Sequence, residues 1–251
     1  MSEQGAVLRV DPHVHSDGSY DGHDPVELVL EHAADIGLDG VVVTDHDAIE
    51  ESLHAAEIAD EYGLVGIPGV EVSTAAGHLL AIGGTERPPR GLPFDETVER
   101  VRDDGGVAVV PHPFQRSRHG VRKRNLGECD GIEVYNSMVF TGYRNRRARA
   151  FAARREHPML GASDAHSIRH VGRAYTEITL PSVDSATSPG AIDASTVVEA
   201  IRAGDTDLRG RRTPIHRSTR QYAKGSLRKA TYHVTAALPY VTPRPASLGN
   251  S

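Results

Sequence analysis

The chain has 251 residues, 38% of them hydrophobic and 25% charged, enough for one sizeable core and at odds with wholesale disorder. Its one cysteine, Cys129, excludes an internal disulfide framework and a Cys-rich zinc fold, and no apolar run approaches the ~20 residues of a transmembrane helix. The net charge of −6 is uneven: residues 1–201 carry 18 basic against 32 acidic side chains (net −14), and residues 202–251 carry 10 against 2 (net +8).

Seven apolar runs read as strands. Residues 7–10 lead into Asp11-Pro12-His13, and residues 41–43 into Thr44-Asp45-His46. The run 64–72 holds Glu71, and 79–82 follows His78. Residues 107–110 lead into Pro111-His112, 132–135 into Asn136, and 159–162 into Ser163-Asp164-Ala165-His166. Helical patterns lie between most of them. Asp24 is placed to cap a helix with Pro25 at its first position and Glu27 closing a capping box. Val26, Val29, Leu30 and Ala33 share one face of that helix, and Gly37 ends it. Further helices read over 49–62, 94–104, the Arg-heavy 142–155, and 196–203, three of them stopped by Gly63, Gly105 and Gly204. Residues 182–195 read as a loop. This alternation predicts an α/β fold with a parallel sheet and helical crossovers, and seven units favour a barrel over an open sheet. From about residue 205 the periodicity is lost. The reading is therefore a barrel over 1–204 and a basic, Pro-containing extension over 205–251. The N-terminal MSEQGAVLRV lacks a signal-peptide pattern, and a cytoplasmic protein is expected.

Nearly every predicted strand ends in His, Asp or Glu. In an α/β barrel those ends converge on one face. His13 and His15, two apart on an extended segment, point to the same side and can grip one metal ion. Asp21, His46, Glu71, His78, His112, Asp164 and His166 complete a set of six imidazoles and three carboxylates, the donors that zinc, manganese and iron accept. Nine such donors can hold two or three divalent ions. His78 differs from the rest in beginning a strand.

The strings DPHVHSDGSYDG, VVVTDHD, GVEVSTAAGH, VPHP, GIEVYN and GASDAHS resemble the motifs of the polymerase and histidinol phosphatase (PHP) superfamily over residues 7–179. The resemblance implies a distorted seven-stranded, TIM-like β/α barrel and a trinuclear site. His13, His15 and Asp164 would hold a first metal, with Glu71 bridging to a second held by His78 and His112. Asp21, His46 and His166 would hold a third. Asp17-Gly18 and Asp21-Gly22 both fit the Asp-Gly after the His-x-His, and the spacing from His15 favours Asp21. Glu71, Asp164 and His166 are the implied catalytic residues. Asp45, Glu133 and Asn136 are expected to orient the ligands from behind.

A divalent ion lowers the pKa of bound water from 15.7 towards ~7, and paired ions can clamp the attacking and leaving oxygens of an in-line displacement. The implied reaction is metal-dependent hydrolysis of a phosphoester by a metal-bridged hydroxide. The substrate would be a phosphorylated small molecule, a nucleotide or a nucleic-acid end, and no membrane partner is expected. Arg116 and Arg118 are the expected phosphate contacts, since the guanidinium fork suits bidentate binding. Two readings compete: a non-catalytic nucleic-acid-binding barrel, and an amidohydrolase-type hydrolase in which Glu71 takes the place of a bridging Lys. His23, His32, His54, His119, His157, His170, His216 and His233 read as surface or packing residues.

Overall fold

The computed structural model describes residues 5–115, 119–139, 142–217, 219–220 and 223. Among these residues, nine strands and five α-helices follow in the order β1 (Gly5–Val14), α1 (Val26–Asp35), β2 (Gly40–Val43), α2 (Glu50–Ile58), β3 (Gly69–Thr74), β4 (Gly77–Ile82), α3 (Phe94–Asp103), β5 (Val107–Val110), β6 (Gly131–Asn136), α4 (Gly142–Arg155), β7 (Met159–Ala162), β8 (Ala174–Asp184), α5 (Ala194–Ala203) and β9 (Thr206–Gly210). The fold is mixed α/β. All seven expected strands form, and β8 and β9 add two.

The strands do not make one closed ring of parallel ladders, as the sequence reading expected. They form two sheets, ordered β2-β1-β8-β9 and β3-β4-β5-β6-β7. The pairs β1–β8, β3–β4, β4–β5 and β8–β9 are antiparallel: a tight turn joins β3 to β4, while α3 and α5 lie in the β4–β5 and β8–β9 connections and return the chain at the same end of the sheet instead of crossing it. Isolated parallel bridges join the sheets at their seams: Gly40 to Val65, His46 to Glu71, and Val14 to Ala165. β8 alternates buried and half-buried or exposed residues rather than forming a continuous apolar run, which hid it from a search for apolar runs. β9 pairs with β8, so residues 206–210, assigned to the extension, are an edge strand of the folded unit.

Side chains from both sheets share one core with α5: Leu8, Val10, Val42, Leu80, Val109, Leu160 and Ile178 pack against Val197, Val198 and Ile201. Helices α3 and α4 cover the five-stranded sheet through Phe94, Val98, Val101, Ala148 and Phe151. Helix α1 buries Val26, Val29, Leu30 and Ala33, the expected face, against β1 and β2. Its expected capping box is absent. The Asp24 carboxylate instead accepts from the Ile168 backbone N–H at 2.9 Å, tying the start of α1 to the segment after β7.

Candidate metal centre

Backbone bonds at the seams bring the strand ends together. His15 N donates to Ala165 O at 2.7 Å, Glu71 N to Asp45 O at 3.2 Å, and Asp47 N to Glu71 O at 3.0 Å. The antiparallel β3–β4 pair explains His78. Ser73 faces His78 across the ladder, so the beginning of β4 lies beside the end of β3 and reaches the same mouth.

All nine residues singled out in the sequence meet there. Eight are buried and His46 partly so. Glu71 sits at the centre. Its Oε2 lies 3.5 Å from His13 Nε2, 3.4 Å from His15 Nε2 and 3.1 Å from His46 Nδ1. Its Oε1 lies 2.8 Å from His78 Nδ1 and 3.1 Å from His112 Nε2. Asp164 Oδ1 is 3.8, 3.7 and 3.6 Å from His13, His15 and His166. Asp21 Oδ2 is 3.1 Å from His166 and 3.5 Å from His46. Four groups have donor atoms mutually within 4.8 Å: His15, Asp21, His46 and His166; His13, His112 and Asp164; His13, His15 and Glu71; His46, Glu71 and His78. Asp17 is in none of them. His112 groups with His13 and Asp164 rather than with His78, although it also touches Glu71.

The donor set fits divalent cations. His13 Nε2 and His15 Nε2 face each other at 3.2 Å, so at most one proton lies between them. Burial acts to raise the Glu71 carboxyl, but the fields of His78, His46 and His13 outweigh it and hold it well below the usual carboxylate range. Burial likewise opposes the charge of Asp21, yet His166 and His46 keep it well below normal. Burial pulls His78 down to about 4, against the neighbouring Glu71 carboxylate, which acts to raise it. His112 and Asp164 have positive φ angles of 29° and 54°, uncommon for non-glycine residues and concentrated at functional sites.

The supporting residues behave unevenly. Glu133 Oε1 lies 3.1 Å from His13 Nδ1, and its Oε2 accepts from His112 N and from Asn136 Nδ2. Asn136 Nδ2 also donates to Asp164 Oδ2 at 3.0 Å. Asp45 does not touch the His46 ring. It accepts from Ser16 N at 2.8 Å and from Ser16 Oγ, fixing the backbone that follows His15, and burial raises it to about 6. Glu133→Gln is expected to weaken metal binding 10–100-fold, since ligand-orienting partners carry that much. Competition with a fluorescent chelator reads the loss, and unchanged affinity would mean that Glu133 does not orient the ligands.

Gly22 lets the loop carrying Asp21 close. A Cβ there would lie 1.7 Å from Ser16 O. Gly22→Ala is expected to cost about 1–3 kcal/mol, a fall in Tm of roughly 2–4 °C for each kcal/mol. A thermal melt checks it, and an unchanged Tm would mean that the loop has slack.

Arg116 and Arg118 lie outside the described residues. Their neighbours are anchored by α4: Arg144 donates to Phe114 O, and the Arg147 guanidinium lies 4.8 Å over the Phe114 ring. Sequence reasoning missed two rings at the mouth. Tyr20 stacks on His46 with centroids 4.9 Å apart, and His119, read as a surface or packing residue, stacks on His78 at 5.2 Å. His119 O also accepts from His78 N at 2.9 Å. Tyr20 stands inside the DGSYDG string, the one signal that could have flagged it.

A family model described as PHP-associated matches residues 142–206. The uncharacterized protein MJ1587 of Methanocaldococcus jannaschii is 29% identical over 152 residues, 56% of this chain and 89% of its own. The phosphoribosyl 1,2-cyclic phosphate 1,2-diphosphodiesterase of Eggerthella lenta is 36% identical over 85 residues, 32% of each chain. Among solved structures, a two-domain protein from Bacteroides vulgatus containing a predicted PHP-like metal-dependent phosphoesterase superposes with a TM-score of 0.66 at 19% identity, over 88% of this chain and 70% of its own. That likeness speaks to the fold. No helix among the described residues is long and apolar enough to cross a membrane.

Proposed function

We propose that this chain, a member of the PHP superfamily, hydrolyses phosphoesters with two or three divalent ions held by His13, His15, Asp21, His46, Glu71, His78, His112, Asp164 and His166. The observation that carries the reading is Glu71: one buried carboxylate within 3.5 Å of five imidazoles, each oxygen serving a different set. The donor groups share His13, His15, His46 and Glu71, as neighbouring ions with bridging ligands require. We read the two sheets, joined at both seams, as the distorted barrel that gathers them.

Zinc, manganese or iron bound there would supply Lewis acidity and lower the pKa of bound water. The chain's own residues do the positioning. Glu71 ties the groups together, and Asp164 and His166 stand at the rim of the β7 end. Glu133 and Asn136 lock His13, His112 and Asp164. Arg116 and Arg118 are the proposed phosphate contacts. The net +8 of residues 202–251 would attract a polyanion, which favours a nucleotide or a nucleic-acid end over a small phosphomonoester.

The test is a panel of phosphomonoesters, nucleotides, short RNA and short DNA, assayed with Mn²⁺, Zn²⁺ and Mg²⁺. Phosphate release or strand cleavage that depends on added metal is expected. A panel without turnover from protein that retains metal would contradict the reading.

A further inference from the structure

A second cationic place lies away from the metal centre. Arg9, Arg169, Arg173 and Arg211, with His32 and Tyr175, line a cleft of about 340 Å³ that includes none of the nine metal-centre side chains. β1 separates the two places. Leu8 and Val10 turn into the core while Arg9 faces outward. The bulge between Asp11 and Val14 then shifts the register, so that Val14 packs with α1 and the flanking His13 and His15 point to the mouth.

No acidic residue lines the cleft. Arg9 pairs with Asp39 at 3.2 Å. Arg169, Arg173 and Arg211 have no acidic partner among the described residues. One terminal nitrogen of Arg173 donates to Arg212 O at 3.1 Å, but its Nε is shut off from solvent with no acceptor. Burial, then the charges of Arg211 and Arg217, pulls the Arg173 guanidinium below its usual range. Like charges that share one cleft repel. Three of the four guanidinium groups that line the cleft thus have no acidic partner among the described residues, a charge balance that a separate anion would complete.

We infer that this cleft binds a small phosphorylated ligand, its phosphoryl group held by Arg169, Arg173 and Arg211 and its apolar part lying along Tyr175. Arg forks match phosphate oxygens bidentately, and the volume falls in the ~300–1,000 Å³ range of small-ligand clefts.

Calorimetric titration of the full-length Glu71→Gln protein with inorganic phosphate tests this without reliance on the metal centre. One bound phosphate per chain is expected. Adding Arg173→Gln and Arg211→Gln should weaken it about tenfold or more, the scale of losing charge-assisted bonds. Arg169→Gln, on an exposed turn, should weaken it in the same direction and serves if the first combination melts early. In the wild-type background the same arginine changes should remove this phosphate and leave metal content unchanged. Absence of binding to the Glu71→Gln protein, or affinity unmoved by the arginine changes, overturns the assignment.

Discussion

Glu71→Gln lowers metal-dependent turnover by about 10³-fold or more and leaves the far-ultraviolet circular dichroism spectrum unchanged. Among the described residues, Glu71 is the one carboxylate that touches His13, His15, His46, His78 and His112 together. Gln keeps its volume and one acceptor oxygen but removes the charge that the imidazoles surround. Metal-ion catalysis supplies several kcal/mol of transition-state stabilisation, and each 1.36 kcal/mol is tenfold in rate. Initial rates on the best substrate of the panel provide the measurement. Wild-type activity in the folded variant would show that Glu71 does not hold the groups together.

Stripping the protein with a chelator lowers its Tm by roughly 5–10 °C for each tightly held ion, and returning the metal restores it. A ligand present at ~100 times its Kd adds ≈ 2.7 kcal/mol of stability, and each kcal/mol moves the Tm of a domain this size by about 2–4 °C. The expected drop exceeds that of an exposed ion site because the donors are buried. His15 Nδ1 and His112 Nδ1 already lack partners, and the three carboxylates lose the cations that offset their burial. Differential scanning calorimetry reads the shift. A Tm unaffected by chelation would place the metals, if any, outside this cluster.

The site was more legible in the sequence than the sheets were. All but His78 follow apolar runs, and the strand ends that carry them converge in any α/β arrangement, so eight of the nine positions could be read without the strand order. His78 needed the order. Only the antiparallel turn between Thr74 and Gly77 puts the start of β4 at the mouth. β8 and β9 escaped because their outer face is wet: Glu177 in β8 and Asp207 and Arg209 in β9 break the apolar runs that mark buried parallel strands. The Asp24 capping box failed for a related reason. Local spacing satisfied the pattern, but Ile168, 144 residues away in sequence, offered its N–H to the same carboxylate. Tyr20 and His119 were invisible as site residues because ring stacking on a ligand leaves no spacing rule.

The most direct measurement is the metal content of the purified, dialysed protein by inductively coupled plasma mass spectrometry, taken beside His13→Ala/His15→Ala and Asp21→Ala/His166→Ala variants. Two or three equivalents of zinc, manganese or iron per chain are expected, with each pair of changes removing at least one. A wild-type chain that holds less than one equivalent even after loading, or variants that keep the full complement, would contradict the claim that these side chains gather to bind cations.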